Sequence, residues 1–248
     1  MKFLRDTATV FAREAGPALR DPAGLVFTMG QPLLFLFLFG SLLDGTPGMG
    51  SSWQWFVPGI LVMMCLFGPM GAGHSLLIEL TGGSLERMLV TPLSRTAMLV
   101  GRTLKESVTL LVQAILIITL AMTLGLRLYP TGMLAGLILL TVFGTGLSAL
   151  SFVLAIRSQP GGGLFWIVTQ TLMFPLILLS GVLLPMDYGP AWLRAAGSVN
   201  PVSYIVDAQR ALFAGDLAGT SVLHGTVAAV AIAGIGLALG IRTMRRGI

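Results

Sequence analysis

The chain contains 248 residues, of which 55% are hydrophobic and only 10% are charged, and its mean hydropathy is +0.90. A water-soluble domain carries roughly 25% charged residues, so this composition excludes an ordinary cytosolic enzyme, a disordered regulator and a disulfide scaffold. The net charge of +5 is not gathered into a basic face interleaved with aromatic side chains, which argues against nucleic-acid binding. The composition predicts an integral membrane protein.

The N-terminal residues 1–21 have an amphipathic pattern and precede the first long apolar stretch. Apolar and charged side chains fall on opposite faces of a helix, namely Phe3, Leu4, Val10 and Phe11 against Lys2, Arg5, Asp6 and Arg13. This pattern predicts a short helix that lies in the inner membrane interface. Asp21 followed by Pro22 is typical of a helix cap with proline at the first helical position.

Six long stretches contain no Asp, Glu, Lys or Arg. Each can supply the roughly 20 residues that a helix needs to cross a bilayer, and helices satisfy their own backbone hydrogen bonds in lipid. The predicted fold is therefore all-α, with a single transmembrane domain over residues 1–248. The six transmembrane helices are expected at about 23–43, 55–78, 100–125, 132–155, 163–183 and 221–241.

The basic residues are divided unequally between the two sides that six spans create. One side carries only Arg127, Arg194 and Arg210. The side of both termini carries the other twelve, which are Lys2, Arg5, Arg13, Arg20, Arg87, Arg95, Arg102, Lys105, Arg157, Arg242, Arg245 and Arg246. The positive-inside rule therefore predicts cytoplasmic termini and a multi-pass location in the cell (inner or plasma) membrane.

Motifs that carry catalysis are missing from the sequence. It has no GxxxxGK[ST] phosphate-binding loop, because neither Lys2 nor Lys105 follows a glycine, and it has no HExxH, GxSxG or Cys/His metal set. No catalytic, cofactor-binding or metal-ligating residue is therefore predicted, and His74 and His224 are interpreted as packed or interfacial. Every carboxylate lies outside the apolar centres of the spans, which weakens the case for an ion-coupled transporter.

Clusters of glycine within the spans favour close helix packing. They include Gly68, Gly71 and Gly73, Gly144 and Gly146, and Gly236 with Gly240. Packing within one subunit is preferred over a dimer interface for each cluster.

The segment 79–95 separates the second and third predicted spans. Ser84 can cap a short helix with an apolar stripe at Leu85, Met88 and Leu89, and Pro92 prevents its continuation. Two interpretations remain open from the pattern alone. The helix either transmits a push from the cytoplasmic side or is a connector on the membrane surface, and the pattern favours the connector.

The segment 184–213 separates the fifth and sixth spans. Asn200 followed by Pro201 predicts the start of a helix of about 13 residues, which is too short to cross a membrane. Its mostly apolar face comprises Val202, Ile205, Gln209 and Leu212. This helix is expected either at the outer interface or in a re-entrant hairpin, and a simple surface helix is the alternative.

Both segments carry a resemblance to a known family. The pattern GxLExxLxTPxSR, here Gly83, Leu85, Glu86, Leu89, Thr91, Pro92, Ser94 and Arg95, resembles the coupling loop of type-2 ABC exporter permeases. The later pattern from Leu184 to Arg210, LPxxxxPxWLxxxxxxNPxxYxxxxxR, resembles the extracellular re-entrant segment of the same family. The six-span layout matches as well, and within the family the chain is most similar to drug-resistance permeases of the daunorubicin-exporter kind.

The resemblance implies roles for two sets of residues. The ATPase-coupling set begins at Glu79 and continues with Leu85, Met88 and Leu89 as a buried face, Glu86 and Arg87 as polar contacts, and Thr91, Pro92 and Arg95 at the junction with the third span. The extracellular gate set comprises Pro185, Trp192, Asn200, Pro201, Tyr204 and Arg210.

The resemblance also implies partners. These are a separate ATPase subunit that binds ATP and Mg²⁺, a second permease subunit (identical or a paralogue), the lipid bilayer and a small amphiphilic substrate such as a drug or a lipid-like molecule. The expected function is the membrane-spanning, non-enzymatic subunit of an exporter. A polysaccharide or glycolipid exporter of the same architecture, an ion-coupled secondary transporter and a non-transporting scaffold are the alternatives.

Overall fold

A computed structural model describes residues 2–42, 52–82, 94–127, 129–183, 186 and 189–246, and all its regular elements within these ranges are helices. The long helices of the first half are α1 (Lys2–Arg20), α2 (Pro22–Leu42), α3 (Ser52–Thr81) and α4 (Arg95–Thr123). The second half contributes α5 (Pro130–Arg157), α6 (Gly163–Leu178), α7 (Ala191–Val199), α8 (Pro201–Phe213) and α9 (Thr220–Arg246).

A helix occupies the position of every predicted span. By length and composition, only four of the described helices could cross a membrane. These four among the described residues are α3, α4, α5 and α9, whereas α2 contributes the shorter apolar stretch Val26–Leu42. Helix α6 stops at Leu178, five residues before the predicted end at 183. Its 16 residues extend for about 24 Å, less than the roughly 30 Å of a hydrocarbon core. The chain is multi-pass and all-helical in its described part.

Helix α3 is the centre of the bundle. The apolar central part of α3 is 78% buried, whereas that of α9 is 22% buried. Phe56, Ile60 and Leu61 are completely buried, and α3 packs against α2, α4, α5 and α8. Both the protein interior and lipid favour apolar side chains, so a helix at the centre of a membrane bundle can be apolar around its whole circumference.

Glycine allows the closest approach between α5 and α9. A Cβ atom added to Gly236 would overlap the carbonyl oxygen of Gly146, and one added to Gly146 would lie 2.7 Å from the Cα atom of Ala233. The predicted packing role of these glycines within one subunit is confirmed. Gly68 and Gly71 differ, since a Cβ atom there meets nothing within 4 Å.

Helix α1 forms as predicted, and its contact with α4 includes residues from both predicted faces. Val10 is buried against α4, whereas Phe3 and Leu4 are 43% and 72% exposed. Asp6 was assigned to the polar face, yet it is 5% exposed because its Oδ2 accepts a hydrogen bond from the backbone N–H of Ser94. The sequence pattern gave no sign of this burial, because the hydrogen-bond partner that makes it favourable is distant in sequence.

Both predicted helix caps are confirmed. Asp21 Oδ1 accepts from the N–H of Gly24 at 2.9 Å, and α2 begins at Pro22. Asn200 Oδ1 accepts from the N–H of Val202 at 3.0 Å, and α8 begins at Pro201. The predicted apolar face of α8 is buried throughout, at Val202, Ile205, Gln209 and Leu212.

Candidate functional site

The predicted coupling set is divided by the boundary of the described residues. Glu79 lies in the last turn of α3, and Arg95 is the first residue of α4. Arg95 Nη1 donates to the carbonyl oxygen of Met244 at 3.4 Å, which ties the start of α4 to the end of α9. The remaining members of the set lie outside the described residues, namely Leu85, Glu86, Arg87, Met88, Leu89, Thr91 and Pro92.

A charged cluster joins three helices beside this segment. Arg102 in α4 is 4% exposed, and its Nη2 lies 3.1 Å from Oε1 of Glu14 in α1. The same nitrogen contacts Oε2 of Glu79 in α3. One turn further along α4, Lys105 Nζ pairs with Oε1 of Glu106 at 2.8 Å. Ion pairs with charge-assisted hydrogen bonds are what make burial of a guanidinium tolerable.

The predicted gate residue Arg210, in α8, contacts the other end of α3 at Trp55, which is about 36 Å from Glu79 along the helix. Arg210 Cζ lies 3.6 Å from the centroid of the Trp55 ring. Its Nη2 donates to the carbonyl oxygen of Gly181 at 2.8 Å, and its Nε donates to that of Trp55 at 3.3 Å. Arg210 therefore connects α8 both to the start of α3 and to the turn that follows α6.

The other gate residues are held by backbone contacts. Asn200 Nδ2 donates to the carbonyl oxygen of Leu176 at 2.8 Å, which attaches the start of α8 to the end of α6. Tyr204 Oη donates to the carbonyl oxygen of Ser198 at 2.6 Å. Trp192 is 70% exposed, and Pro185 lies outside the described residues. The structure thus brings Asn200, Tyr204 and Arg210 together in one region and leaves Trp192 on its surface.

A groove of about 470 Å³ lies between α2, α3 and α6. Its wall is mostly apolar and aromatic, with Phe35, Phe67, Phe165, Trp166 and Phe174 among its members. Four polar side chains also line it, namely Gln31, His74, Thr169 and Gln170. Small-molecule sites usually have this composition, a concave apolar surface with a few polar groups.

His74 packs against aromatic side chains in this groove, in agreement with its interpretation as a packed or interfacial residue. Its ring meets the Trp166 ring edge-on, with the centroids 4.8 Å apart, and lies 6.5 Å from the Phe165 ring. Because α6 has few contacts with the rest of the chain, Trp166 and Phe174 remain 47% and 70% exposed while lining the groove. One wall of the groove is thus itself an exposed apolar helix.

Comparison with known proteins assigns the chain to a family. The family model described as ABC-2 type transporter matches residues 5–214. The chain belongs to the ABC-2 type transporter family. A ycf38 transport permease of Cyanophora paradoxa is 31% identical over 201 residues, which cover 78% of this chain and 69% of that protein.

Two further relatives have names that indicate drug transport. The daunorubicin resistance ABC transporter permease protein DrrB1 of Streptomyces coeruleorubidus is 27% identical over 202 residues, 78% of this chain and 70% of the relative. The multidrug ABC transporter permease YbhR of Escherichia coli (strain K12) is 29% identical over 198 residues, 71% of this chain and 51% of the relative. Membership of the ABC-2 family implies an ATP-binding partner subunit and a membrane context.

Sequence reasoning missed two features of this ABC-2 permease. The first is the ion cluster of Glu14, Arg102 and Glu79, whose only sequence signal was a charged residue near the start of a long apolar helix. The second is the groove, because its phenylalanines are indistinguishable in sequence from ordinary core or lipid-facing residues. Both depend on which helices become neighbours.

Proposed function

We propose that this chain is the membrane-spanning subunit of an ABC exporter that moves a hydrophobic or amphiphilic molecule, such as a drug or a lipid-like compound, out of the cell. The chain itself is not an enzyme in this proposal. A separate ATPase subunit binds ATP with Mg²⁺ and supplies the energy, and a second permease subunit, identical or a paralogue, completes the complex. This subunit composition follows the family to which the chain belongs.

The substrate class is inferred from the groove between α2, α3 and α6. Its aromatic wall suits an apolar body, while Gln31, Thr169 and Gln170 offer hydrogen bonds to a few polar groups. An amphiphile dissolved in the membrane can reach such a site along the exposed face of α6. The name of the DrrB1 relative makes daunorubicin the first compound to test.

The proposed topology has six spans, with α2 and α6 as the two shorter ones, and cytoplasmic termini. Helix α1 then lies in the inner interface, the segment 79–95 contacts the ATPase subunit, and α7 with α8 form the re-entrant segment at the outer face. The division of twelve basic residues against three supports this orientation.

The experiment that tests the function begins with purification of the tagged chain in mild detergent. We expect a nucleotide-binding subunit to co-purify in stoichiometric amount, and we expect Glu86→Ala together with Arg87→Ala to weaken that association without preventing membrane insertion. Arg13→Ala, at an exposed position of α1, is the matched control. A chain that purifies without any ATPase yet still moves solute would overturn the proposal.

Inverted vesicles that contain the complex then test the substrate. ATP-dependent accumulation of daunorubicin supports the drug or lipid-like class. Accumulation of a glycolipid without any drug transport favours the polysaccharide or glycolipid alternative. Transport that collapses with an ionophore at constant ATP favours ion coupling instead.

A further inference from the structure

Arg102 occupies an unusual position for a charged residue. It lies two turns into α4, in the part of the bundle where Ala72 and Phe152 line a cavity of about 80 Å³ beside it. Only 4% of its surface is exposed. A guanidinium at such a site is destabilising unless carboxylates and hydrogen bonds compensate the loss of hydration, so its partners are a requirement of the fold.

Those partners come from two other helices. Glu14 belongs to α1 and Glu79 belongs to α3, and both contact Nη2 of Arg102. The two carboxylates therefore share one nitrogen atom, while Nε of Arg102 is buried without a hydrogen-bond partner among the described residues. In a bidentate ion pair with a single carboxylate, a guanidinium group would donate from both Nε and Nη2. The observed geometry is instead that of a junction between two helices.

The junction lies at both ends of the segment between α3 and α4. Glu79 precedes the end of α3 at Thr81 by two residues, and Arg102 follows the start of α4 at Arg95 by seven. A second contact reinforces the arrangement, since Asp6 of α1 accepts a hydrogen bond from the N–H of Ser94. Helix α1 is thus attached to the α4 flank by two contacts, and Arg102 connects it to the α3 flank through Glu79.

We propose that Arg102 is the positioning residue that holds the two flanks of the segment 82–94 to each other and to α1, so that the three elements move together. The mechanical consequence rests on the proposed function: a displacement of the segment by an ATPase subunit reaches α1 as well as α3 and α4. Without the guanidinium, the half-buried carboxylates of Glu14 and Glu79 would lose the cation that they share and repel each other, which weakens the attachment of both flanks.

Hydrogen exchange on the permease alone, in lipid nanodiscs, tests the geometric part without any ATPase. In Arg102→Gln we expect the amides of α1 and of the last turn of α3 to exchange about tenfold faster, equivalent to about 1.4 kcal/mol. Glu14→Gln should accelerate exchange in α1 alone, and Glu79→Gln in the end of α3 alone. Both single variants remain informative if Arg102→Gln fails to fold.

Lys105→Gln is the matched control, because the substitution removes one positive charge beside the same cavity. Unlike Arg102, Lys105 pairs with a carboxylate of its own helix, that of Glu106. We expect this substitution to leave exchange in α1 and α3 unchanged. Equal exchange in Arg102→Gln and Lys105→Gln would overturn the proposal. So would a Glu79→Gln variant that loosens α1 as much as Arg102→Gln does, because Arg102 would then not be the junction.

Vesicles that contain the complete complex test the mechanical consequence. The measured quantity is daunorubicin transported per ATP hydrolysed, which a merely stabilising residue would not change in the complexes that do assemble. We expect this ratio to fall about tenfold in Arg102→Gln, to recover in part in Arg102→Lys and to stay unchanged in Lys105→Gln. An unchanged ratio in Arg102→Gln would overturn the mechanical role. If the wild-type complex neither hydrolyses ATP nor moves daunorubicin, the proposed function has failed, and the exchange experiment still decides the role of Arg102.

Discussion

Asp21 and Asn200 are the N-caps of α2 and α8, and the sequence predicted both caps. Each is a residue with a short oxygen-bearing side chain followed by proline, and each accepts a hydrogen bond from an N–H of the first turn. This outcome is decided within four residues of chain, so no tertiary contact is needed to predict it. Arg102 is the opposite case, since its partners are 88 and 23 positions away in sequence.

The first prediction concerns Gly71 in the groove. Gly71 lines the groove, and a Cβ atom there meets no heavy atom within 4 Å. Gly71→Phe should therefore occupy the groove without disturbing the fold and lower daunorubicin transport by about tenfold, the equivalent of about 1.4 kcal/mol of lost binding. The measurement is ATP-dependent accumulation in inverted vesicles.

Gly68→Phe is the control for this substitution, since Gly68 lies on the same helix, is equally open and is not a lining residue. If both variants transport alike, the groove is not the path of the substrate.

The second prediction concerns Arg210. Arg210→Met removes the guanidinium hydrogen bonds to the carbonyl oxygens of Trp55 and Gly181, and also the contact with the Trp55 ring. We expect the free energy of unfolding in mixed micelles to decrease by about 2 kcal/mol, from the charge-assisted hydrogen bonds and the cation–π contact. Arg194→Met, at an exposed position of α7, should change this free energy little. Equal losses in the two variants would show that the contacts of Arg210 are not stabilising.

At the scale of the elements, sequence pattern located the helices but not all their ends or faces. Helix α6 ends at Leu178 rather than at 183, and Gly181 follows with φ +72°. Pro175 within α6 removes one backbone donor, and Asn200 and Ser203 donate to the carbonyl oxygens of Leu176 and Leu179. These side chains belong to the neighbouring helix α8 and its cap, so the end of α6 depends on a tertiary contact.

The third prediction concerns the contact between α1 and α4. A Cβ atom added to Gly101 would lie 2.8 Å from Cβ of Val10 and 3.0 Å from the carbonyl oxygen of Thr7. Gly101→Leu should therefore push α1 away from α4 and make Arg5 and Arg13 more rapidly cleaved by trypsin in nanodiscs.

Gly234→Leu serves as the control, because Gly234 has nothing within 4 Å of its added Cβ atom. Unchanged cleavage of α1 in Gly101→Leu would contradict the close packing of the two helices.

At the scale of the whole molecule, the chain is a multi-pass ABC-2 permease with polar clusters at both ends of its central helix. The cluster around Arg102 lies at the end of α3 that leads to the segment 82–94. The cluster around Arg210 lies at the start of α3. Between them, the groove follows α3 from Met63 to His74. One continuous helix, α3, therefore connects the two clusters and the groove.

The fourth prediction concerns the orientation of this molecule. Cys65 is completely buried, so cysteines introduced at exposed positions should be the reactive thiols. In intact cells, an impermeant maleimide should label Arg194→Cys rapidly and Arg13→Cys only after permeabilisation, because the positive-inside rule predicts that the side of Arg13, which has twelve basic residues, is cytoplasmic. Labelling of both positions from outside would contradict the proposed six spans and their orientation.

The sequence by itself determined the membrane class, the positions of the apolar helices, both helix caps and the family resemblance. These properties depend on local quantities: the free energy of transferring a side chain into lipid, the hydrogen bonds within one turn and the spacing of a motif. The tertiary structure alone decided that Asp6 is buried, that Glu14 and Glu79 share Arg102, and that α2, α3 and α6 enclose a groove. Each of these features is a contact between side chains distant in sequence, and its free energy exists only once the helices have packed.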